Sequence, residues 1–131
     1  MTLVVVAAIF DAAGRVLIAE RPAGKHMAGR WEFPGGKVAV GESEEAALAR
    51  ELQEELGIEC VAARSVMRLK ACYPDREVEL SLWVLQRYRG EPQALDGQRL
   101  KWVEREQLEG EDILEADRPF VAALVQWQPP S

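Results

Sequence analysis

Three acidic side chains are spaced so that a single helix would bring them together. Ser43 is a typical N-cap residue and Gly57 a typical residue to follow a helix C-terminus, so the sequence predicts a helix between them. At about 100° per residue, positions i, i+3 and i+4 of a helix converge on one face. Those positions hold Glu51, Glu54 and Glu55, beside an apolar stripe made by Leu48, Leu52 and Leu56.

This helix is acidic in a way that local rules disfavour. Residues 44–56 contain five acids and a single base, Arg50. The helix dipole disfavours Glu54 and Glu55 in the last turn by roughly 0.3 to 1 kcal/mol each, and Glu51 repels Glu55 at i+4. A solvated acidic face is the alternative interpretation, but local rules broken together without a compensating base indicate a functional site. Clustered hard oxygen ligands suit Mg²⁺ or Mn²⁺.

The segment before the helix carries the opposite charge. Around Pro34-Gly35-Gly36 the backbone is free of bulky side chains, so a ligand or metal can approach main-chain groups, although such a turn alone is more often a bend. Acids, neighbouring bases and an open loop together indicate phosphoryl chemistry, in which catalysis is mostly positioning and charge neutralisation. The bases of residues 21–37, set against Glu32 alone, are Arg21, Lys25, Arg30 and Lys37.

Composition limits the domain number and the partners. Residues 1–131, 48% hydrophobic, are long enough for one domain with a core and too short for two. The net charge of -6 argues against stable binding to DNA or RNA, so a polyphosphate substrate needs a cation or a local basic cluster. Cys60 and Cys72 are expected to be reduced thiols in the core. The apolar run at residues 3–10 is far shorter than a membrane span of roughly 20 residues, which predicts a buried strand in a cytoplasmic protein with no membrane contact.

Strand and turn signals alternate over most of the remaining chain. Strands at residues 3–10 and 15–19, joined by a turn at 11–14, predict an opening hairpin. In a strand expected at residues 77–88, the even-numbered residues from Val78 to Val84 are apolar, which predicts one buried face. A strand at 61–71 is expected to pair with the strand at 77–88 through a turn around 73–75. The other expected elements are a polar loop at 90–98, a strand at 100–103 and a helix from about 117 to 127.

The spacing of the acidic helix and the glycine loop resembles a known signature. Gly36 is followed by five residues, Glu42, seven residues and then Arg50-Glu51-Leu52-Gln53-Glu54-Glu55-Leu56-Gly57-Ile58. All constrained positions of the 23-residue Nudix box are filled. The runs at residues 21–23, 26–28, 31–37, 73–76, 90–92 and 116–119 resemble the MutT subgroup of that family. The resemblance implies the Nudix α/β/α sandwich, with a mixed sheet between helices, as a single domain over residues 1–131.

The resemblance also implies how the acidic helix would work. Arg50 would orient the helix carboxylates, and Glu42 would fix the loop or reach the metal through water. Asp96 occupies a loop position near the C-terminal part of the chain where MutT-like enzymes carry an acid. In some of them this acid is Glu, and it is proposed to serve as a metal ligand or general base. Catalysis is thus expected to depend on Arg50, Glu51, Glu54 and Asp96. The divalent metal is expected to bind Glu51, Glu54, Glu55, Asp96 and the backbone carbonyl of Gly36.

The substrate residues implied by the resemblance lie outside the helix. Arg21 would meet substrate phosphate, with His26 as a weaker candidate because a lone loop histidine is more often structural. Asp117 stands where 8-oxoguanine-specific bacterial members have Asn, whose amide both donates and accepts. An ionised Asp only accepts, so it suits cytosine N4 or guanine N1 and N2 and repels O6; alternatively, Asp117 merely caps the final helix. The nucleoside pocket is expected to be lined by Phe33, Arg76 and Asp117.

Three functions follow from the resemblance. The leading one is Mg²⁺-dependent hydrolysis of a nucleoside triphosphate to monophosphate and pyrophosphate, with Mn²⁺ as a substitute, acting on oxidised nucleotides such as 8-oxo-dGTP to protect replication fidelity. The second keeps the mechanism and takes CTP or a 5-substituted dCTP. The third is a non-catalytic nucleotide-binding module, whose mark would be degenerate metal positions; none is degenerate here. A monomer is expected rather than a dimer.

Overall fold

The computed structural model describes residues 2–24, 27–73 and 76–127. His26, and residues 74 and 75 of the expected turn, lie outside the described residues. Two short 3-10 helices, Arg105–Gly110 and Glu115–Asp117, precede the last helix. In chain order the other elements are β1 Thr2–Ala8, β2 Val16–Glu20, β3 Trp31–Glu32, β4 Gly35–Lys37, α1 Glu44–Leu56, β5 Glu59–Tyr73, β6 Arg76–Arg89, β7 Leu100–Val103 and α2 Arg118–Gln126.

A mixed four-stranded sheet lies at the centre of the fold. Its order is β4-β1-β6-β5, with β1 and β6 parallel and the other neighbours antiparallel. A smaller antiparallel sheet has the order β3-β2-β7. A bridge between Phe10 and Val16 closes the predicted first turn, but the two strands of that expected hairpin belong to different sheets.

The two helices cover opposite faces of the central sheet. Because successive strand residues point to opposite faces, β1 sends Val5 and Ala7 towards α1 and Val6 and Ala8 into the core that contains α2. The arrangement is the expected α/β/α sandwich with a mixed sheet in its middle layer. The apolar face of α1 consists of Ala47, Leu48, Leu52 and Leu56, all fully buried.

Both faces of β6 are buried over residues 80–85, so the prediction of a single buried face is wrong for that part of the strand. Ser81 and Trp83, on the face expected to be open, are 0% and 8% exposed because α1 lies above them. The indole nitrogen of Trp83 donates to Ser81 Oγ at 3.0 Å and to Glu44 Oε1 at 3.3 Å. The polar atoms of this face are therefore satisfied within the protein.

Helix α1 has the boundaries that the local sequence predicts. The Ser43 hydroxyl accepts the Ala46 N–H at 3.1 Å. Gly57 adopts a left-handed conformation at φ 70° and donates its N–H to the Gln53 carbonyl at 3.1 Å. These two caps fix both ends of the segment that carries the acids.

The free cysteines differ from the prediction. Cys60 is half-buried, but Cys72 is exposed, so placing both in the core is wrong. Cys72 lies on β5, an edge strand of the central sheet, where fewer neighbours cover the side chains.

In the described part of the chain, no helix has the length and apolar character needed to cross a bilayer.

Candidate active site

A cavity of about 470 Å³ lies between β4, α1 and the strands β1 and β6. Glu51 and Glu55 of α1 stand at the same cavity as Gly36, and Asp117 lines it next to α2. The cavity brings together seven of the predicted residues: Arg21, Phe33, Gly36, Glu51, Glu55, Arg76 and Asp117. Four others, Glu42, Arg50, Glu54 and Asp96, are absent from its described lining.

Arg50 connects the acidic residues of the loop and helix. Its Nε and Nη2 donate to the two oxygens of Glu42 at 2.8 and 2.9 Å. Its Nη1 donates to Glu51 at 2.9 Å and to Glu54 at 3.4 Å, while Nη2 also reaches the Lys37 carbonyl at 3.0 Å. Five hydrogen bonds from one planar group hold the loop and three glutamates in a fixed relation. The catalytic effect assigned to Arg50 stays a prediction.

Glu42 is held as an anion by the loop it closes. Its carboxylate accepts the paired bonds from Arg50 and the Ala39 N–H at 2.9 Å. The Arg50 hydrogen bonds first, and the Ala39 N–H second, lower the pKa of Glu42 to about 2. Glu42 therefore fixes the loop in this structure, and its alternative role through a metal-bound water stays a prediction.

Glu51 is packed directly on Gly36. A Cβ atom added at Gly36 would lie 2.3 to 2.6 Å from the three atoms of the Glu51 carboxylate. The glycine thus leaves the space in which this carboxylate sits, between the β4 backbone and Arg50. The Glu51 side chain is only 16% exposed.

Glu55 is a strongly perturbed acid of the cavity. Burial, and then the charge of Glu51, raise the pKa of Glu55 to about 8, against the opposing N–H of Gly35 at 3.4 Å. The bonds that Arg50 makes go to other groups. A buried carboxyl beside a second carboxylate has a strong preference for a cation that neutralises both.

The donor set fits a hydrated divalent cation rather than an all-protein cage. Among the described residues, no three acidic, histidine or cysteine side chains are grouped as a ready cluster. Mg²⁺ binds through one or two carboxylates and completes its shell with water and substrate phosphates, and Glu51 and Glu55 supply such a pair. Glu54, with 59% of its side chain exposed, faces Arg50, so its role as a ligand stays a prediction.

Asp117 is a buried carboxyl in the cavity wall. It is 5% exposed and accepts the Phe33 N–H at 3.2 Å. Burial raises the pKa of Asp117 to about 7 despite this hydrogen bond. Asp117 occupies the N-cap position of α2, yet its side chain makes no capping hydrogen bond, so the interpretation as a mere helix cap is wrong.

Sequence reasoning missed Glu32, which lines the same cavity as Glu55 and Asp117. Arg21 donates from Nη1 to both Glu32 oxygens, at 3.0 and 3.2 Å. Glu32 lines the cavity and contributes to the raised pKa values of Glu55 and Asp117. The only available signal was an isolated acid within a basic segment.

Asp96 lies beside the main cavity rather than in its described lining. It borders a smaller cavity of about 50 Å³ together with Glu55, Arg21 and Glu32. Its charge is close enough to contribute to the raised pKa of Glu55. Its role as ligand or general base stays a prediction, as does that of His26 outside the described residues.

Carboxylates suited to a metal in a cavity, with a buried carboxyl in its wall, fit metal-dependent hydrolysis of a phosphoanhydride bond. The comparison with protein families agrees. The NUDIX domain matches residues 1–124, and the chain belongs to the Nudix family, whose hydrolases require a divalent metal.

Similar proteins place the chain near the MutT members of that family. The 8-oxo-dGTP diphosphatase of Escherichia coli is 39% identical over 109 residues, covering 83% of this chain and 84% of the relative. The CTP pyrophosphohydrolase of E. coli is 40% identical over 121 residues, covering 92% and 90%. A solved structure from a study of MutT from Aliivibrio salmonicida and Vibrio cholerae superposes with a TM-score of 0.83, at 31% identity over 95% of this chain and 96% of that one.

Proposed function

We propose that this protein hydrolyses nucleoside triphosphates to the monophosphate and pyrophosphate, with 8-oxo-dGTP as the leading substrate. The observation that carries the proposal is one cavity shared by the Glu51 and Glu55 carboxylates and the buried Asp117. A triphosphate group can bind at Glu51 and Glu55 through a metal while the base of the same nucleotide contacts Asp117. The similarity to an 8-oxo-dGTP diphosphatase supports this substrate class.

The residues of the chain supply position and charge for this reaction. Glu51, Glu55 and the Gly36 carbonyl would hold Mg²⁺, or Mn²⁺ in its place, which when bound would neutralise phosphate charge and lower the pKa of water. Arg50 keeps Glu51 in place through its 2.9 Å hydrogen bond. Arg21, which is paired with Glu32 in the cavity wall, is the proposed contact for the phosphates. Glu54, which lies outside the described cavity lining and contacts Arg50, is the remaining proposed ligand from α1.

The water that attacks phosphorus must lose a proton to a nearby base. Asp96 is the proposed acceptor or an additional metal ligand, because it is exposed and borders the same small cavity as Glu55. Substitution at phosphorus then releases pyrophosphate and the nucleoside monophosphate. The water adds one oxygen to one of these two products.

Asp117 can recognise either of two kinds of base, depending on its protonation. Since its pKa is about 7, the protonated and ionised forms are both populated at neutral pH. The protonated acid donates and accepts, as an Asn amide does, and can match O6 and N7-H of 8-oxoguanine. The ionised acid accepts from an exocyclic amine such as cytosine N4.

The second candidate, hydrolysis of CTP or a 5-substituted dCTP, rests on the ionised form of Asp117. The similarity to a CTP pyrophosphohydrolase supports it. It uses the same metal end of the cavity and differs only in the base. Activity on both kinds of base is therefore compatible with one site.

A panel of nucleotides tests the substrate. With Mg²⁺ we expect the highest kcat/KM for 8-oxo-dGTP, weaker hydrolysis of dGTP, and measurable hydrolysis of CTP and 5-methyl-dCTP. The same panel with Mn²⁺ shows whether that ion substitutes. Highest kcat/KM for a cytidine nucleotide would replace the first candidate by the second, and no hydrolysis of any triphosphate would contradict both.

The pH dependence of base selectivity tests Asp117. As pH rises through about 7, Asp117 ionises, so the ratio of kcat/KM for 8-oxo-dGTP to that for CTP should fall. In Asp117→Asn the ratio should shift by roughly tenfold, or about 1.4 kcal/mol of differential transition-state binding, and lose this pH dependence. Unchanged ratios in the variant would remove Asp117 from base recognition.

The same variant has a second readout in stability. The folded protein keeps the Asp117 proton up to a pH of about 7, whereas the unfolded chain loses it near the ordinary value of 3.8. Wild-type stability therefore falls as pH rises through that window. Asp117→Asn should raise the Tm at about pH 8 more than at about pH 4. An equal effect at both values would contradict the buried-acid explanation.

Further properties belong to the same proposal. We expect a monomer of one domain, acting in the cytoplasm where nucleoside triphosphates and Mg²⁺ are abundant. The net charge of -6 disfavours stable binding to DNA or RNA. Analytical ultracentrifugation, with and without an oligonucleotide, tests the oligomeric state and this absence of binding together.

A further inference from the structure

A loop, rather than a basic side chain, donates hydrogen bonds to the last carbonyls of α1. The last turn carries Glu54 and Glu55 and contains no basic residue. The Gln93 N–H donates to the Leu56 carbonyl at 2.9 Å, and the Leu95 N–H donates to the Glu55 carbonyl at 3.1 Å. Loop residues 93–98 thus lie against the turn of helix that carries two of the acids.

One side chain ties this loop to the helix at Asp96. Gln98 is 7% exposed, one of three buried polar or charged residues in the described chain. Its Oε1 accepts the Asp96 N–H at 2.9 Å, and its Nε2 donates to the Glu55 carbonyl at 3.4 Å. The Gln98 amide therefore bridges the backbones of Asp96 and Glu55, two of the acids that border the 50 Å³ cavity.

Gln98 is itself anchored to the rest of the fold. It precedes β7, where Leu100 pairs with Ala19 of β2, and the Arg99 carbonyl accepts the Glu20 N–H at 2.9 Å. The loop before it is exposed from Gln93 to Gly97. A rigid strand on one side and an exposed loop on the other make Gln98 the point where the position of Asp96 is set.

The bridge requires an amide. One group must accept from the Asp96 N–H and donate to the Glu55 carbonyl, which an amide does and a carboxylate or thioether does not. The Glu55 carbonyl also accepts the Leu95 N–H, so the Asp96 N–H is the group whose hydrogen bond within the fold depends on Gln98.

We propose that Gln98 is a positioning residue for the hydrolytic reaction, holding Asp96 at a fixed place relative to Glu55 across the small cavity. The inference rests on the proposed role of Asp96. Gln98 acts through Asp96. When Gln98 is replaced, the Asp96 carboxylate is still present but is no longer held in one position. The loss of Gln98 should lower kcat and leave KM nearly unchanged, because substrate binds through other residues.

A double-mutant cycle on the full-length protein tests this. Gln98→Met keeps the side-chain volume and removes both hydrogen bonds, and Gln98→Asn keeps the amide but is too short to span both partners. Each should reduce kcat by about tenfold with KM within about twofold. Adding Gln98→Met to Asp96→Asn should cause little further loss, because both changes remove the same contribution. Gln93→Ala, an exposed position in the same loop that keeps its backbone N–H, is the matched control.

The outcomes separate this inference from the proposed function. Normal kcat in both Gln98 variants would overturn it, as would losses that multiply in the double variant. A normal rate for Asp96→Asn would also overturn it while leaving nucleotide hydrolysis established for the wild type. An inactive wild-type protein would overturn both. The Tm of each variant shows whether it is folded under the assay conditions. If one Gln98 variant is unfolded, the kcat of the other Gln98 variant tests the positioning role.

Discussion

Replacing Glu55 with Gln is expected to lower kcat by about a thousandfold or more while the protein stays folded. Glu55 lines the cavity, and its raised pKa of about 8 shows a carboxyl that is poorly stabilised without a cation. The Gln amide fills the same space but supplies no negative charge to a metal. The measurement is steady-state turnover with a Mg²⁺ titration.

The same substitution should stabilise the metal-free protein at high pH. The folded state keeps the Glu55 proton up to a pH of about 8, whereas the unfolded chain loses it near 4.5, so wild-type stability falls across that window. The Gln variant has no such loss, and its Tm advantage should be largest above about pH 8 and absent below about pH 4.

Two other glutamates of α1 complete this experiment. Glu45→Gln is the matched control, because Glu45 is exposed in the first turn and should leave kcat unchanged. Glu54→Gln is expected to lower kcat by orders of magnitude as well, because the role proposed for its carboxylate is to bind the metal. Near-normal turnover in either Glu54→Gln or Glu55→Gln would show that the metal role assigned to that residue is wrong.

The adjacent glycines of β4 are expected to respond differently to alanine, Gly35 mainly in stability and Gly36 mainly in turnover. At Gly35, with φ 156°, an added Cβ would lie 2.0 Å from the Val5 carbonyl oxygen and 2.8 Å from Val6 Cα. These are backbone atoms of a paired strand, so the β1–β4 pairing must separate. We expect Gly35→Ala to cost about 3 kcal/mol and lower the Tm by roughly 10 °C.

At Gly36 the neighbour is the Glu51 carboxylate, the far end of a side chain rather than backbone. Gly36→Ala should therefore cost less than about 1 kcal/mol in stability but displace Glu51 and reduce kcat by about a hundredfold. Gly110→Ala, where an added Cβ meets nothing within 4 Å, is the control for both. Equal losses of Tm at Gly35 and Gly36, or normal kcat in Gly36→Ala, would contradict this description of the site.

Helix α1 was predictable because its signals are local. Ser43, Gly57 and the apolar stripe all lie within the segment they define, and the structure reproduces both ends. The burial of Ser81 on β6 was not predictable, because it depends on a helix packing above a strand distant in the chain. Likewise Cys72 was expected in the core on composition, and only the strand order shows that it lies at an edge.

The candidate site likewise contains residues that could be predicted from the sequence and residues that could not. The Nudix resemblance led to Gly36, Glu51 and Glu55, and the structure brings these three to one cavity. It did not lead to Glu32 or Gln98, because a single acid or amide in a sequence carries no sign of the distant group it will contact. Their significance comes from contacts across the fold, to Arg21 and to the Glu55 carbonyl.

The most direct test of the central claim is hydrolysis of 8-oxo-dGTP by the wild-type protein in ¹⁸O-labelled water with Mg²⁺, followed by mass spectrometry of the products. We expect nucleoside monophosphate and pyrophosphate in equal amounts, with one labelled oxygen in one of the two according to the phosphorus attacked. Omission of the metal should abolish both products. Label found only in orthophosphate, with a nucleoside diphosphate as the other product, would contradict the proposed pyrophosphohydrolase activity.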